Sequence, residues 1–410
     1  MPKLLFVTDF PFYPEISGGS ELSNLYLLKS LCDMGWQIEV ICIRQVAGSN
    51  RLISSYFLNL CSRVWKRLNK LLGLSSIGNI GKVPVVIDEK VGFPCWRVIP
   101  DRFSNEHRQA EFFAQRLRDY QPDVVLGQRS ATYPILQYSA SKGYITLCFL
   151  RDIEGVGDCN YLQLTADGIS FIANSPYLAS LINSVSSCKP DVILPFINLE
   201  DYRVDNRRRD YITFINLVPE KGLRIAVEVA RQLPQEKFLF VKGGWPPYGA
   251  IQDSLLEQVY RLPNVTIWEK QEDMRNVYAV TDILMVPSQW PETFGRVIVE
   301  AQVNSIPVVA ANIGGIPYTL GKGGILVDPI DNPQSYVESI KKLRAENVLY
   351  TELSKLAFQN SQRPDFNAQY QVKKIVQLIE NNIHKKQYFI EKKPIDAEKI
   401  SLFNNTRISI

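Results

Sequence analysis

The stretch Ser288-Gln289-Trp290-Pro291-Glu292-Thr293-Phe294-Gly295-Arg296-Val297-Ile298-Val299-Glu300 follows an apolar run at 283–287 and enters a helical pattern that reaches 304. An apolar strand, a turn holding Pro and Gly, and then a helix make up one piece of a β-α-β unit, the repeating element of a doubly wound sheet. Gly295 lets an anion approach the backbone closely, and unpaired N–H groups at a helix start would face it. Glu292 falls in the loop at the mouth. Glu300, about two turns into the expected helix, is spaced to accept hydrogen bonds from a diol such as a ribose. Spacing alone leaves a plainer reading equally open, with Glu292 favouring the helix dipole and Glu300 a solvated helix residue.

The same alternation extends in both directions. In the first half, strands are expected at 3–8, 38–43, 83–87, 124–128, 145–150 and 169–174, with helices at 20–34 and 106–120 between some of them. A polar stretch at 198–210, containing Arg207-Arg208-Arg209, interrupts the pattern and reads as a linker. Beyond it the pattern restarts, with strands at 212–216, 238–242, 265–269, 283–287 and 307–311 and helices at 222–233 and 295–304. The expected organisation is a first Rossmann-like domain at 1–197, a second at 211–365, a C-terminal helix at 366–385 packing back toward the first, and a tail at 386–410 without a readable role. At 410 residues and roughly 150 residues per domain, two large domains fit the length. In open parallel sheets, ligands bind outside the carboxyl ends of the strands, so a cleft between the domains is the expected site.

Composition excludes several classes. Hydrophobic residues at 46% and charged residues at 21% are those of a globular chain, and a net charge of +4 is too small for a dedicated nucleic-acid binder. The seven cysteines, at 32, 42, 61, 95, 148, 159 and 188, show no C-x-x-C spacing, which fits a reducing, cytoplasmic setting. The N-terminus has no secretory pattern, and no window reaches the about 18 apolar residues of a spanning helix. Two histidines, His107 and His384, cannot build a His-rich metal site. Zinc, EF-hand, D-x-D, G-x-G-x-x-G and G-x-S-x-G patterns are all missing. The stretch from Gly315 to Lys322 is not a Walker loop, having five residues between its glycines and Gly323 where Ser or Thr would bind magnesium. Any diphosphate chemistry must therefore rely on Lys, Arg and backbone N–H groups.

In this context the chain resembles the retaining nucleotide-sugar glycosyltransferases of family 4, which have the GT-B fold, two doubly wound Rossmann-like domains facing across a cleft. Their second domain carries an E-x7-E motif, matched by Glu292 and Glu300, and Pro291, Thr293, Phe294, Gly295, Pro307, Gly314, Gly315 and Gly324 also fit. The resemblance implies that Glu292 contacts the donor sugar, that Thr293, Phe294 and Gly295 contact the diphosphate through the backbone, and that Glu300 binds the ribose. Val218-Pro219-Glu220-Lys221-Gly222-Leu223 matches the family's phosphate-binding turn, in which the Lys neutralises the diphosphate. A surface lysine beside a helix-opening glycine is the plainer account of Lys221. The family more often has Arg five positions earlier, where this chain has Asn216, so one cation of the expected pair is missing.

Ser17-Gly18-Gly19-Ser20-Glu21 resembles the family's glycine loop, where Gly18 and Gly19 would admit the donor phosphate or the acceptor. Phe149-Leu150-Arg151-Asp152 stands where many relatives have His-Asp. Arg151 and Asp152 could contact the reacting sugar or acceptor, although Arg151 cannot be a neutral base; an Arg–Asp structural pair is the alternative. The implied reaction is metal-independent, retaining hexosyl transfer from a nucleoside-diphosphate sugar to a glycan, lipid-linked or other hydroxyl acceptor, as in polysaccharide biosynthesis. The nucleotide-sugar is then a substrate, and neither a cofactor nor a metal is expected. A catalytically silent GT-B partner subunit, suggested by Asn216 and Arg151, and a sugar-nucleotide epimerase or hydrolase are the competing functions.

One further segment stands apart. Between residues 51 and 82 lie Arg51, Arg63, Lys66, Arg67, Lys70 and Lys82 and no acidic residue. Within 51–72, the residues Ile53, Phe57, Leu60, Val64, Leu68 and Leu71 share one helical stripe. That pattern suits a peripheral helix lying on an anionic membrane surface, or equally a basic amphipathic helix packed on its own domain.

Overall fold

The computed structural model describes residues 1–16, 18–44, 77–80, 83–99, 106–128, 132–153, 168–243 and 249–392. The basic segment 51–72 and the tail beyond 392 lie outside these residues.

Two sheets organise the chain. The first contains β1 (Lys3–Thr8), β2 (Gln37–Ile43), β3 (Ile77–Ile80), β4 (Val83–Asp88), β5 (Cys95–Val98), β6 (Val124–Gln128), β7 (Ile145–Leu150), β8 (Ile169–Ala173) and β9 (Asp191–Val192), in the order β3-β4-β5-β2-β1-β6-β7-β8-β9. The second contains β10 (Tyr211–Ile215), β11 (Phe238–Val241), β12 (Val265–Trp268), β13 (Thr281–Val286), β14 (Val308–Ala311) and β15 (Gly324–Val327), in the order β12-β11-β10-β13-β14-β15. Every pairing in the second sheet is parallel. One edge of the first departs from the expected parallel pattern, since β4 runs antiparallel to both β3 and β5. Only residues 89–94 join β4 to β5, too few for a parallel crossover, which needs a dozen or more.

The strand orders locate the ligand-binding crevices. In the second sheet the order reverses between β10 and β13, and in the first between β1 and β6. These are the topological switch points of a doubly wound sheet, where loops leaving adjacent strands diverge to opposite faces and open a crevice. The loops after β10 and β13 carry Lys221 and Glu292, while the loop after β1 leads to Gly18 and Gly19.

Burial follows from strand alternation. Leu4 and Phe6 of β1 enter one core with Leu27, Leu31 and Phe149, whereas Leu5 and Val7 enter another with Phe112, Leu136 and Leu178. A sheet buried on both faces reads as a continuous apolar run, as β1 does. The final helix, Ala368–Lys392, places Val372, Ile375 and Ile379 in the β1–Phe149 core, so the chain returns to the first sheet after completing the second. Residues between the sheets are docked as well. Arg207 donates to the Asn304, Ser305 and Thr281 carbonyls, and Asn304 holds the Val204 N–H at 2.8 Å.

Candidate functional site

The loop after β10 begins at Asn216, whose φ of 73° lies in the left-handed region. Asn tolerates that conformation better than most residues, which gives a local reason for Asn at this position. A short 3-10 turn, Pro219–Lys221, then delivers Lys221. The loop after β13 is tied to this turn because the Gln289 and Trp290 N–H groups both donate to the Glu220 carbonyl, at 2.9 and 3.2 Å. The two motifs, far apart in sequence, therefore meet. Lys221 Nζ lies 3.0 Å from Glu292 Oε2, with the carboxylate side chain only 10% exposed. The other Glu292 oxygen accepts from Ser288 Oγ.

Gly314 and Gly315 pack closely against the backbone of the Glu292–Thr293 loop. The Gly315 N–H donates to the Glu292 carbonyl at 2.6 Å, and a side chain at Gly315 would run into the Thr293 carbonyl. Because that obstacle is backbone, it cannot step aside as a flexible side chain would. Gly315→Ala is expected to cost about 1–3 kcal/mol, the usual penalty for overpacking, read by denaturant unfolding.

The side chains of Thr293 and Phe294 have structural tasks, distinct from the backbone contacts implied for these residues. The Phe294 side chain is buried with Leu194, Ile197, Val299 and Phe366, its ring 5.8 Å from that of Phe366. It anchors the loop and leaves only its backbone to face a ligand. Thr293 Oγ1 donates to the Arg151 carbonyl at 2.8 Å and accepts from Asn174 Nδ2 at 2.9 Å, joining the two halves beside Glu292. Among the described residues, none accepts a hydrogen bond from the Thr293, Phe294 or Gly295 N–H groups. Those amides, together with Lys221, supply the positive lining.

The helix after this loop is shorter than its sequence pattern, spanning seven residues, Arg296–Gln302. Glu300 thus sits little more than one turn in, and it is not the solvated helix residue of the plainer reading: it is 5% exposed. One oxygen accepts from Tyr278 Oη at 2.8 Å and the other from Arg296 Nε at 3.2 Å. The Glu300 charge, followed by burial, pushes the Tyr202 phenol up to about 12. Burial, reinforced by Glu300, raises Tyr278 well above its ordinary value. Both phenols therefore remain neutral near neutral pH, and Tyr278 can donate to the carboxylate.

The first domain contributes the opposing wall. Gly18 caps the helix Gly19–Asp33, whose first turn carries the buried Glu21. Arg151, 8% exposed, does not project freely toward a substrate. Its guanidinium donates to Ser23 Oγ at 3.2 Å and Asn24 Oδ1 at 2.7 Å, and lies over the Phe149 ring at 3.9 Å. Burial lowers its pKa to about 9, with Glu21 opposing the shift and Arg296 adding to it. Arg151 Nε and Asn174 Oδ1 are buried without a hydrogen-bond partner among the described residues. Asp152 follows Arg151, half-buried at the end of β7.

The structure thus gathers Lys221, Glu292, Thr293 and Gly295 on one wall, with Glu300 behind them and Gly18, Gly19 and Arg151 opposite. Asn216 lies at the root of the Lys221 loop against Gly243. Sequence reading missed Glu21, Asn174, Ser288 and Arg296. Glu21 and Ser288 flank the motifs and were within reach as buried polar positions beside glycine and proline turns. No local pattern marks Asn174 or Arg296, because their partners are distant in sequence. Among the described residues there is no cluster of three or more His, Cys, Asp or Glu that could hold a metal, and no helix long and apolar enough to cross a membrane.

Comparison with known proteins supports the fold. Residues 198–360 match the family model described as Glycosyl transferases group 1. A D-inositol 3-phosphate glycosyltransferase from Mycobacterium sp. (strain KMS) is 31% identical over 196 residues, covering 41% of this chain and 43% of that one. Another, from Rhodococcus opacus (strain B4), is 33% identical over 194 residues, covering 40% and 43%. The match therefore spans less than half the length of these curated relatives. Among solved structures, a sucrose-phosphate synthase from Thermosynechococcus elongatus aligns with a TM-score of 0.73 at 17% identity, over 94% of this chain and 100% of that one. Anabaena HepE in complex with UDP-glucose aligns with a TM-score of 0.71 at 18% identity, over 92% and 99%. The fold defines the class: the GT-B arrangement of two Rossmann-like domains facing across a cleft. Within it, residues 198–360 are similar to the group 1 glycosyl transferase domain.

Proposed function

We propose that the chain transfers a sugar from a nucleoside-diphosphate sugar to a hydroxyl acceptor, a glycan or lipid-linked compound among them, with retained anomeric configuration and without a metal ion. The observation that carries this reading is the Lys221–Glu292 pair, 3.0 Å apart at the switch point of the second sheet and facing the first domain. Lys221 and the loop amides of Thr293 to Gly295 are placed to stabilise charge on a departing diphosphate, in a setting where preorganised donors act most strongly. Glu292, fixed by Ser288 and Lys221, is placed to accept hydrogen bonds from the sugar hydroxyls. In the proposed step, the bond from the anomeric carbon to the β-phosphate oxygen breaks. The acceptor oxygen bonds to the same face of that carbon, and its proton passes to the departing phosphate. A covalent glycosyl adduct on Glu292 or Glu21 would overturn that front-face course.

Because HepE on this fold is known with UDP-glucose, uridine nucleotides are the first to try. Calorimetric titration with UDP, GDP and ADP is expected to show micromolar binding of one of them, weakened about tenfold or more by Glu300→Gln. Such a loss matches the 1.5–3 kcal/mol expected for hydrogen bonds to a charged group. Absence of binding by all three would overturn the donor site. Action at the cytoplasmic face of a membrane, with segment 51–72 against anionic lipid, belongs to the same proposal.

A further inference from the structure

Arg296 lies four residues beyond Glu292, and its guanidinium meets three separate parts of the molecule. Nε donates to Glu300 Oε1 at 3.2 Å within the second domain. One terminal nitrogen donates to Tyr202 Oη at 2.9 Å, in the connection between the domains. The other crosses the cleft and donates to the Gly19 carbonyl at 2.7 Å, on the loop that opens the first helix of the first domain. The side chain is only 14% exposed. An arginine fork is planar and rigid, so fixing two of its nitrogens fixes the direction of the third.

We infer that Arg296 is a positioning residue that sets the glycine loop of the first domain against the donor carboxylate Glu300, so that the wall carrying Gly18 and Gly19 is held in register with Lys221 and Glu292. This rests on the proposed transfer reaction. The link is short and direct. Glu300 orients Nε, Tyr202 orients one arm of the fork, and the remaining arm can satisfy only an acceptor placed where the Gly19 carbonyl lies. Gly19 also packs against the arginine stem, since a Cβ there would come within 2.8 Å of Arg296 Cδ. The flanking contact from Thr293 to the Arg151 carbonyl joins the same two walls, so the loss of Arg296 loosens the register without separating the domains. Glu292 and Lys221 do not touch the guanidinium, and their pairing survives its removal.

The test uses the full-length chain in four forms: wild type, Arg296→Ala, Gly19→Ala and the double variant. Arg296→Lys is added as the conservative replacement. Turnover of UDP-glucose, GDP-mannose and ADP-glucose is followed as nucleotide release, and UDP, GDP and ADP affinity by calorimetry. The Arg296→Ala form is expected to lose about tenfold or more in kcat, as for a small misplacement of reacting groups, with KM and nucleotide Kd within about threefold. Arg296→Lys, which retains the charge without the fork, is expected to recover only part of kcat. Gly19→Ala is expected to slow wild type and to have little further effect in Arg296→Ala, because two changes acting through one contact are not additive. Additive effects, or an unchanged kcat, would overturn the inference.

Hydrogen exchange of the peptide covering residues 18–33 gives a reading without nucleotide. Faster exchange at its N-terminal end in Arg296→Ala is expected, and unchanged exchange would overturn the link even if the chain bound no nucleotide. Failure of the wild type to bind any nucleotide would instead count against the proposed reaction.

Discussion

Lys221→Ala is expected to lower turnover of the nucleotide-sugar by about 10²–10³-fold, the range seen when one preorganised electrostatic contact to a reacting anion is lost. Lys221 has two tasks in this geometry. In the proposed reaction it is the cation that meets the diphosphate, and it neutralises Glu292, which lies 3.0 Å away and is only 10% exposed. Without it, a poorly solvated carboxylate faces a departing dianion, so the loss exceeds that of a simple phosphate contact. Lys221→Arg keeps the charge but replaces a compact ammonium with a wider fork, and is expected to recover only part of the rate. The comparison with Glu292→Gln separates the two tasks. If Lys221 served only to hold Glu292, Lys221→Ala would do no additional harm in a Glu292→Gln background. Steady-state kinetics of the four combinations gives the answer, and a loss below threefold in the single variant would remove Lys221 from the proposed chemistry.

What the sequence disclosed, and what it withheld, follows from the range of the interactions involved. Apolar runs such as Leu4–Val7 and Ile283–Val286 are legible because every residue is buried on one face or the other of a parallel sheet. The motifs around Lys221 and Glu292 are legible because glycine, proline and charge recur in them at short spacing. The first-sheet edge was harder to read. Its β5 strand is only four residues long and contains Arg97, buried and paired with Asp88 at 2.5 Å, a residue type that argues against a buried strand until its partner is known. Glu300 stood out by its spacing from Glu292, but its surroundings were not legible. Tyr278 is 22 residues away and the Gly19 carbonyl held by Arg296 is 277 residues away, distances over which a single sequence carries no pattern. Arg151 shows the same limit, since reading it as a substrate contact or an Arg–Asp pair overlooked Ser23 and Asn24, which are 128 and 127 residues distant.

Arg151→Met is expected to leave the unfolding free energy unchanged or to raise it by up to about 2 kcal/mol, while lowering turnover about 100-fold. The two effects come from the same cause. A buried cation costs desolvation energy that hydrogen bonds to the neutral groups Ser23 and Asn24 repay only in part, and replacing such a charge with an apolar side chain of similar length is often neutral or stabilising. The downward pull on the Arg151 pKa, to about 9 by burial, expresses this cost, with Glu21 relieving part of it. The Thr293 contact with the Arg151 carbonyl belongs to the backbone and survives the substitution. What disappears is a positive charge on the wall opposite Lys221 and Glu292, where negative charge would develop during transfer and where a cation already desolvated acts strongly. Retaining a strained charge at the cleft while the rest of the fold would do better without it is the usual relation between stability and activity at a working site. Thermal and denaturant unfolding, measured beside turnover, decides the matter. A variant that loses stability but keeps its rate would make Arg151 a support for the first helix and nothing more.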